Sequence, residues 1–201
     1  MKVSNTKDNK GRKELHKILK TILVIIIIIS IYILLFNVIK LQNIIMKKIY
    51  PINYSEYVYN YAQEYNVDPL LVFAIIKAES NFDPNIVSKS NAKGLMQLME
   101  TTANEIASKL EIEYIENKTI FNPEINIKIG IRYFKDLLNL YDGNQLLAMT
   151  AYNAGIGNVD KWIQNGIIKK DGSDIENIPF KETNNYVRKI IRDYRIYQEL
   201  Y

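Results

Sequence analysis

The sequence predicts a mainly α protein, a helical domain preceded by one N-terminal transmembrane helix. Three observations predict it. Nineteen residues, Thr21 to Ile39, carry no charge and are bracketed by Lys20 and Lys40. From Ser55 onward, apolar residues recur at helical intervals behind recognisable capping residues. No stretch alternates apolar and polar residues as a half-buried strand would, and no internal repeat is visible.

The apolar stretch comes first in the chain. At 1.5 Å per residue it reaches about 28 Å, close to the ~30 Å hydrocarbon thickness of a bilayer. A buried core helix is the bland alternative, but such helices rarely carry so continuous an isoleucine run as Val24 to Ile29. A cleaved signal peptide is the other, and it wants small residues after a shorter apolar core. Here Asn37-Val38-Ile39-Lys40-Leu41-Gln42 follows, and the first alanine is Ala62. An uncleaved anchor is therefore the expectation.

Charge assigns the anchor a direction. The chain has 201 residues, a net charge of +4 and a pI near 9.0. Residues 1–20 hold seven bases and two acids, leaving 19 bases and 20 acids for the other 181 residues. The basic character thus belongs to a tail, which the positive-inside rule keeps in the cytoplasm with the C-terminal bulk extracellular. The near-neutral remainder argues against nucleic acid as a partner. The expected organisation is a cytoplasmic tail at 1–20, a single-pass membrane helix at 21–39, a juxtamembrane linker at 40–53 and a folded domain at 54–201. Lys47, Lys48, Tyr50, Tyr54 and Tyr57 suit a linker near lipid headgroups.

The domain's helices follow in order. Asn53 and Glu56 have capping-box spacing, with Val58, Tyr61, Ala62 and Tyr65 at helical intervals behind them. Asp68-Pro69 is a cap followed by proline at the first helical position. The helix it starts, Leu70 to Glu79, is apolar nearly all round and so belongs at the centre. Thr102 and Glu105 repeat the capping-box spacing. Asn122-Pro123 starts a helix with Ile127, Ile131, Phe134 and Leu138 on one stripe. Asp142-Gly143-Asn144 is a turn. Leu146 to Tyr152, Asn158 to Ile163 and Glu182 to Glu199 complete the set.

Composition restricts the chemistry. Cysteine is absent and His16 is the only histidine, which removes disulfides, thiolate nucleophiles, Ser-His-Asp catalysis and histidine-built zinc sites. No metal and no cofactor is expected. Glu79 is where helix logic and composition disagree. Leu71, Ile75 and Glu79 share a stripe, so the carboxylate continues an apolar face. It also ends its helix, because Asn81-Phe82-Asp83-Pro84 resists extension. Desolvation and the negative end of the helix dipole both disfavour ionisation, as a general acid near neutral pH requires. A carboxylate turning to water at a frayed helix end is the other reading.

The segments around Glu79 carry a resemblance. Glu79-Ser80-Asn81-Phe82-Asp83-Pro84, Val87-Ser88 and Gly94-Leu95-Met96-Gln97-Leu98-Met99 form the first blocks. Asn122-Pro123, Asn126-Ile127, Gly130 and Tyr133 follow. Then come Ala151 to Val159 with Trp162, and finally Ile178 to Thr183 with Tyr186-Val187. In this order, over about Val67 to Tyr194, they resemble the lytic transglycosylase family, the soluble lytic transglycosylase-like branch of the lysozyme superfamily. The resemblance implies a lysozyme-like, goose-type helical fold. It implies cleavage of the β-1,4 bond between N-acetylmuramic acid and N-acetylglucosamine in peptidoglycan, its glycan partner, with a 1,6-anhydromuramyl product. A lysozyme-type hydrolase and a non-catalytic glycan-binding scaffold are the alternatives.

The same resemblance distributes roles. Glu79 matches the lone catalytic acid/base, and Tyr152 the tyrosine whose hydroxyl holds that carboxylate. Gln97 and Asn153 match polar groups lining the sugar groove, and Met96 an apolar wall of the cleft. Ser88 matches a serine near the carboxylate, while Glu182 and Tyr186 match groove residues. Asp83 reads as a turn cap, Trp162 as packing or a sugar platform, and Gly155-Ile156-Gly157 as a helix stop and restart. Two positions depart from the family's habit. Asn91 stands where glycine is common, and asparagine also tolerates positive φ. Glu100 replaces a common proline, leaving Thr101 or Thr102 to cap the next helix.

Overall fold

The structure is a computed structural model that describes residues 4–115 and 117–201. Lys2, the first tail base, lies outside the described residues. The chain divides into two units, Met1–Ile49 and Tyr50–Tyr201.

The first unit is one helix, α1 (Ser4–Ile49). Its 36-residue part Glu14–Ile49 is, by length and composition, apolar enough to cross a membrane. The helix outruns the apolar core at both ends because proline, the strongest helix breaker, first occurs at Pro51. Residues 40–49, expected as linker, are therefore helical. Tyr50, before that proline, is biased out of helical conformation. It belongs to the second unit and is buried there, with its hydroxyl donating to Asp193 at 3.3 Å.

The second unit contains α2 (Ser55–Tyr65), α3 (Pro69–Glu79), α4 (Glu100–Lys109), α5 (Pro123–Leu140), α6 (Gln145–Ala154), α7 (Ile156–Gln164) and α8 (Lys181–Leu200). Short 3₁₀ turns lie at Thr119–Phe121 and Ile175–Asn177. Side-chain caps explain three of these seven starts. Asp68 accepts from the Leu70 N–H at 2.8 Å, Asn122 from Ile125 at 3.2 Å, and Asn144 from Leu146 and Leu147. Gly155, at φ 84°, separates α6 from α7, a conformation costly for other residues.

Two expected caps fail. Tyr54, in left-handed conformation, precedes α2 and gives no side-chain cap, so Asn53 has no capping role. Thr102 lies inside α4, which begins at Glu100. Glu100 is fixed there by tertiary bonds: Lys93 Nζ reaches one carboxylate oxygen at 2.6 Å and Tyr114 donates to the other at 2.6 Å.

α3 is the central helix, with Leu71 to Ile76 fully shielded, and it packs chiefly against α8. α5 carries α2, α4 and α6 on its flanks, while α6 also meets α7 and α8. Among the described residues no sheet forms. Two isolated antiparallel bridges, Val87–Lys93 and Lys93–Leu98, shape the segment between α3 and α4. That segment is stitched to α5 by buried Asn126, which accepts from the Met96 N–H at 2.8 Å and donates to the carbonyls of Ile120 and Lys93 at 2.8 and 3.2 Å.

Candidate active site

The end of α3 is made by its own sequence. Asn81 and Phe82 both adopt positive φ, 48° and 67°, so the helix cannot continue. Ser80 closes the turn, its hydroxyl donating to Ile76 O and accepting from the Phe82 N–H, each at 3.1 Å. Glu79 is thereby the last helical residue, half-buried, facing a cleft of about 520 Å³. Asp83 accepts from the Asn85 N–H at 2.9 Å, the turn role its sequence suggests.

Among the described residues the carboxyl group of Glu79 has one hydrogen-bond partner, the Tyr186 hydroxyl on α8, which donates to Oε1 at 2.6 Å. Burial pushes the group up from the ordinary 4.5 to about 7, against the opposing pulls of the Tyr186 hydrogen bond and the Lys189 charge. A carboxyl group so poised is protonated for a useful fraction of the time at neutral pH, and its conjugate base is competent to take a proton back.

Ser88, Gln97, Tyr152, Asn153 and Glu182 line the same cleft as Glu79. Several are fastened before any ligand arrives. Gln97 donates to the carbonyls of Gly94 and Ile86 at 3.0 and 3.2 Å, Ser88 accepts from the Ala92 N–H at 3.0 Å, and Asn153 accepts from Thr183 at 2.7 Å. A neighbouring hollow of about 280 Å³ shares Gln97, Tyr152 and Asn153, so the groove extends beyond the carboxylate.

Two expectations change. Tyr152 does not hold Glu79 in this structure: its hydroxyl donates to the Met96 carbonyl at 2.8 Å, and Tyr186 makes the carboxylate contact. Tyr152 still lies close enough for the Glu79 charge to help burial raise its phenol. Met96 is not a cleft wall. Its side chain is fully buried against Gly130 on α5, where any Cβ would collide with it. Close helix–loop approach at Gly130 is what draws the methionine inward. The methionine that lines the cleft is Met99, three residues on.

Phe180 and Lys89, absent from the expected set, also line the cleft. Trp162 is buried and meets the Phe180 ring edge-on, with centroids 4.9 Å apart, so the tryptophan packs and the phenylalanine is exposed. The Ile178-Pro179-Phe180 block was a signal for this position, but exposure is set by tertiary packing. Among the described residues no group of His, Cys, Asp and Glu side chains could hold a metal ion.

With this geometry in place, known proteins supply context. Residues 56–174 match the Transglycosylase SLT domain family. The chain is 32% identical over 144 residues to the soluble lytic murein transglycosylase of Salmonella typhimurium, covering 71% of this chain and 22% of that protein. It is 37% identical over 115 residues to membrane-bound lytic murein transglycosylase C of Edwardsiella ictaluri, covering 53% of this chain and 32% of the relative. Among solved structures, an inactive mutant of the lytic transglycosylase Slt from Pseudomonas aeruginosa superposes with a TM-score of 0.68 at 32% identity, over 75% of this chain and 24% of that one. A 70-kDa soluble lytic transglycosylase in complex with bulgecin A gives 0.70 at 30% identity, over 77% and 25%. The chain spans under a quarter of the length of the soluble relative.

Proposed function

Because the chain belongs to the transglycosylase SLT domain family, we propose that its domain cuts the β-1,4 bond between N-acetylmuramic acid and N-acetylglucosamine in peptidoglycan. The observation that carries this reading is Glu79, a carboxyl group raised to about 7 at the edge of an open groove. Glu79 acts first as an acid, giving its proton to the leaving glycosidic oxygen as the bond to C1 breaks. The substrate's N-acetyl group assists at C1 from the sugar side, in the manner of substrate-assisted glycosidases. The Glu79 carboxylate then takes the proton of the muramyl C6 hydroxyl, whose oxygen closes onto C1. The product is a 1,6-anhydromuramyl end, and the enzyme regains its proton without consuming water.

One observation favours a second reading. Glu182 also lines the cleft, and a second carboxylate could direct water in a lysozyme-type hydrolysis of the same bond. Mass spectrometry of peptidoglycan digested by the full chain, run beside Glu79→Gln, separates the two. Anhydromuramyl ends lost in the variant support the lyase. Reducing ends lost in the variant replace it with the hydrolase. Binding without turnover by the unmutated chain overturns both in favour of a glycan-binding scaffold.

The helix of the first unit extends the proposal to topology. A basic tail ahead of one apolar helix supports a single-pass protein with its N-terminus in the cytoplasm and its catalytic domain outside, where peptidoglycan lies. Protease added to intact cells should remove a C-terminal tag and spare an N-terminal one. The reverse pattern overturns this orientation.

A further inference from the structure

The break that ends α3 has a second consequence. In a continuing helix the Phe82 N–H would pair with the Ala78 carbonyl, four residues back. Here that N–H turns to Ser80 Oγ at 3.1 Å. The Ala78 carbonyl is taken instead by Lys189 Nζ, at 3.0 Å, from α8. Lys189 lies three residues after Tyr186, so both project from one face of α8 onto the last turn of α3. One donor holds the Glu79 side chain and the other holds the peptide immediately before it.

We infer that Lys189 is a positioning residue for Glu79, capping the Ala78 carbonyl that the helix break frees and fixing a positive charge beside the carboxyl group. The inference rests on the reading of Glu79 as the acid/base. A cation at a helix C-terminus is favourable in itself, because it faces the unpaired carbonyls and the negative end of the dipole. Here it serves a second end. Burial alone would make Glu79 too weak an acid, and its base form too rare, for a group that must both give and recover a proton. A nearby ammonium works against burial and keeps both forms within reach.

Other groups face the same carboxyl and must be separated from Lys189. α8 also contributes Tyr186 and, at the cleft, Glu182; α6 contributes Tyr152; the segment after α3 contributes Lys89. On α3 itself Lys77 lies within the field of Lys189, Arg192 and Asp193. Substitutions at Lys189 alone leave these in place.

The test is titration of Glu79 in the full chain in detergent micelles, with ¹³C-labelled glutamate and Glu79→Gln to assign the resonance. Lys189→Met and Lys189→Gln should move the Glu79 midpoint upward by about one pH unit, and Lys189→Arg should leave it near the unmutated value. The glutamine variant retains a donor and adds little strain, so it reports the charge even if the methionine variant folds poorly. The alkaline limb of kcat/KM should move with the midpoint. An unmoved midpoint in Lys189→Gln, or an equal shift in Lys189→Arg, overturns the inference. A shifted midpoint in a chain that does not turn over peptidoglycan upholds Lys189 and defeats the proposed reaction instead.

Discussion

Tyr186 donates its phenolic hydrogen to Glu79 Oε1 at 2.6 Å, across 107 residues of sequence. The contact joins the second turn of the last helix to the end of the central one. It makes the α3–α8 interface, the principal packing surface of the central helix, also the support of the carboxyl group proposed as the acid/base.

Removing that donor should be felt in chemistry. The Tyr186 hydrogen bond lowers the Glu79 pKa, so Tyr186→Phe should carry the alkaline limb of kcat/KM above its unmutated position near pH 7. We expect kcat to fall about 10- to 100-fold, as a misoriented acid loses alignment with the leaving oxygen. Tyr152→Phe should differ, because its hydroxyl serves the Met96 carbonyl. It should cost about 1 kcal/mol of stability and leave the position of the limb largely unchanged. Parallel pH–rate profiles and thermal melts check the pair.

Stability should fall as Glu79 is forced to ionise. Below about pH 4.5 the group is protonated in both folded and unfolded chains and contributes no pH dependence. Between there and about 7 the unfolded chain releases the proton while the folded one holds it, so stability declines with rising pH, then levels off. The penalty reaches at most about 3 kcal/mol. Glu79→Gln does not ionise, so its stability relative to the unmutated protein should rise across that window. Denaturant melts at pH 5 and pH 8 measure the difference, and an unchanged gap would contradict the raised pKa.

Phe180 should act on binding. Its exposed ring sits at the cleft with Trp162 held edge-on behind it, an apolar surface that a sugar face can cover. Phe180→Ala should raise KM for long glycan strands about 5- to 20-fold with little change in kcat, a loss of about 1–2 kcal/mol of binding. Phe180→Tyr should restore it. Steady-state kinetics on strands of defined length make the comparison.

Asn126 should matter for the fold. It is almost fully buried and makes three hydrogen bonds that join α5 to the segment bearing Gln97. Asn126→Leu leaves the Met96 N–H and two carbonyls without their partner, which should destabilise the domain by about 2–4 kcal/mol. Activity should drop in the same variant because Gln97 and Met99 lose their support. Calorimetry gives the first effect and turnover at low temperature the second.

Much of this was legible in the chain. Caps at Asp68 and Asn122 carry their own hydrogen-bond acceptors, and the Gly155 break needs only a residue at ease with positive φ. Glu79 at the end of an apolar helix is a local fact, since Asn81 and Phe82 stop the helix themselves. Asn91 does adopt positive φ, 65°, as its tolerance suggests. The caps that failed show the limit. Thr102 has ideal spacing, yet Lys93 and Tyr114 fix Glu100 and α4 starts three residues earlier than a Thr102 cap would place it. Where the folded unit takes up the chain is likewise set from a distance: Tyr197 donates to the Pro51 carbonyl at 2.9 Å and Tyr201 to that of Tyr50 at 2.9 Å.

The sequence by itself determined the apolar N-terminal helix, the helical class, the central position of α3 and the residue at its end. These depend on interactions over a few neighbouring residues: periodicity, capping and a break. Only the tertiary structure decided which tyrosine holds Glu79, which methionine reaches the cleft and which cation takes the Ala78 carbonyl. Each is a choice between side chains of similar chemistry, made by the close approach of distant elements. Gly130 draws Met96 inward, and one face of α8 brings Tyr186 and Lys189 onto α3.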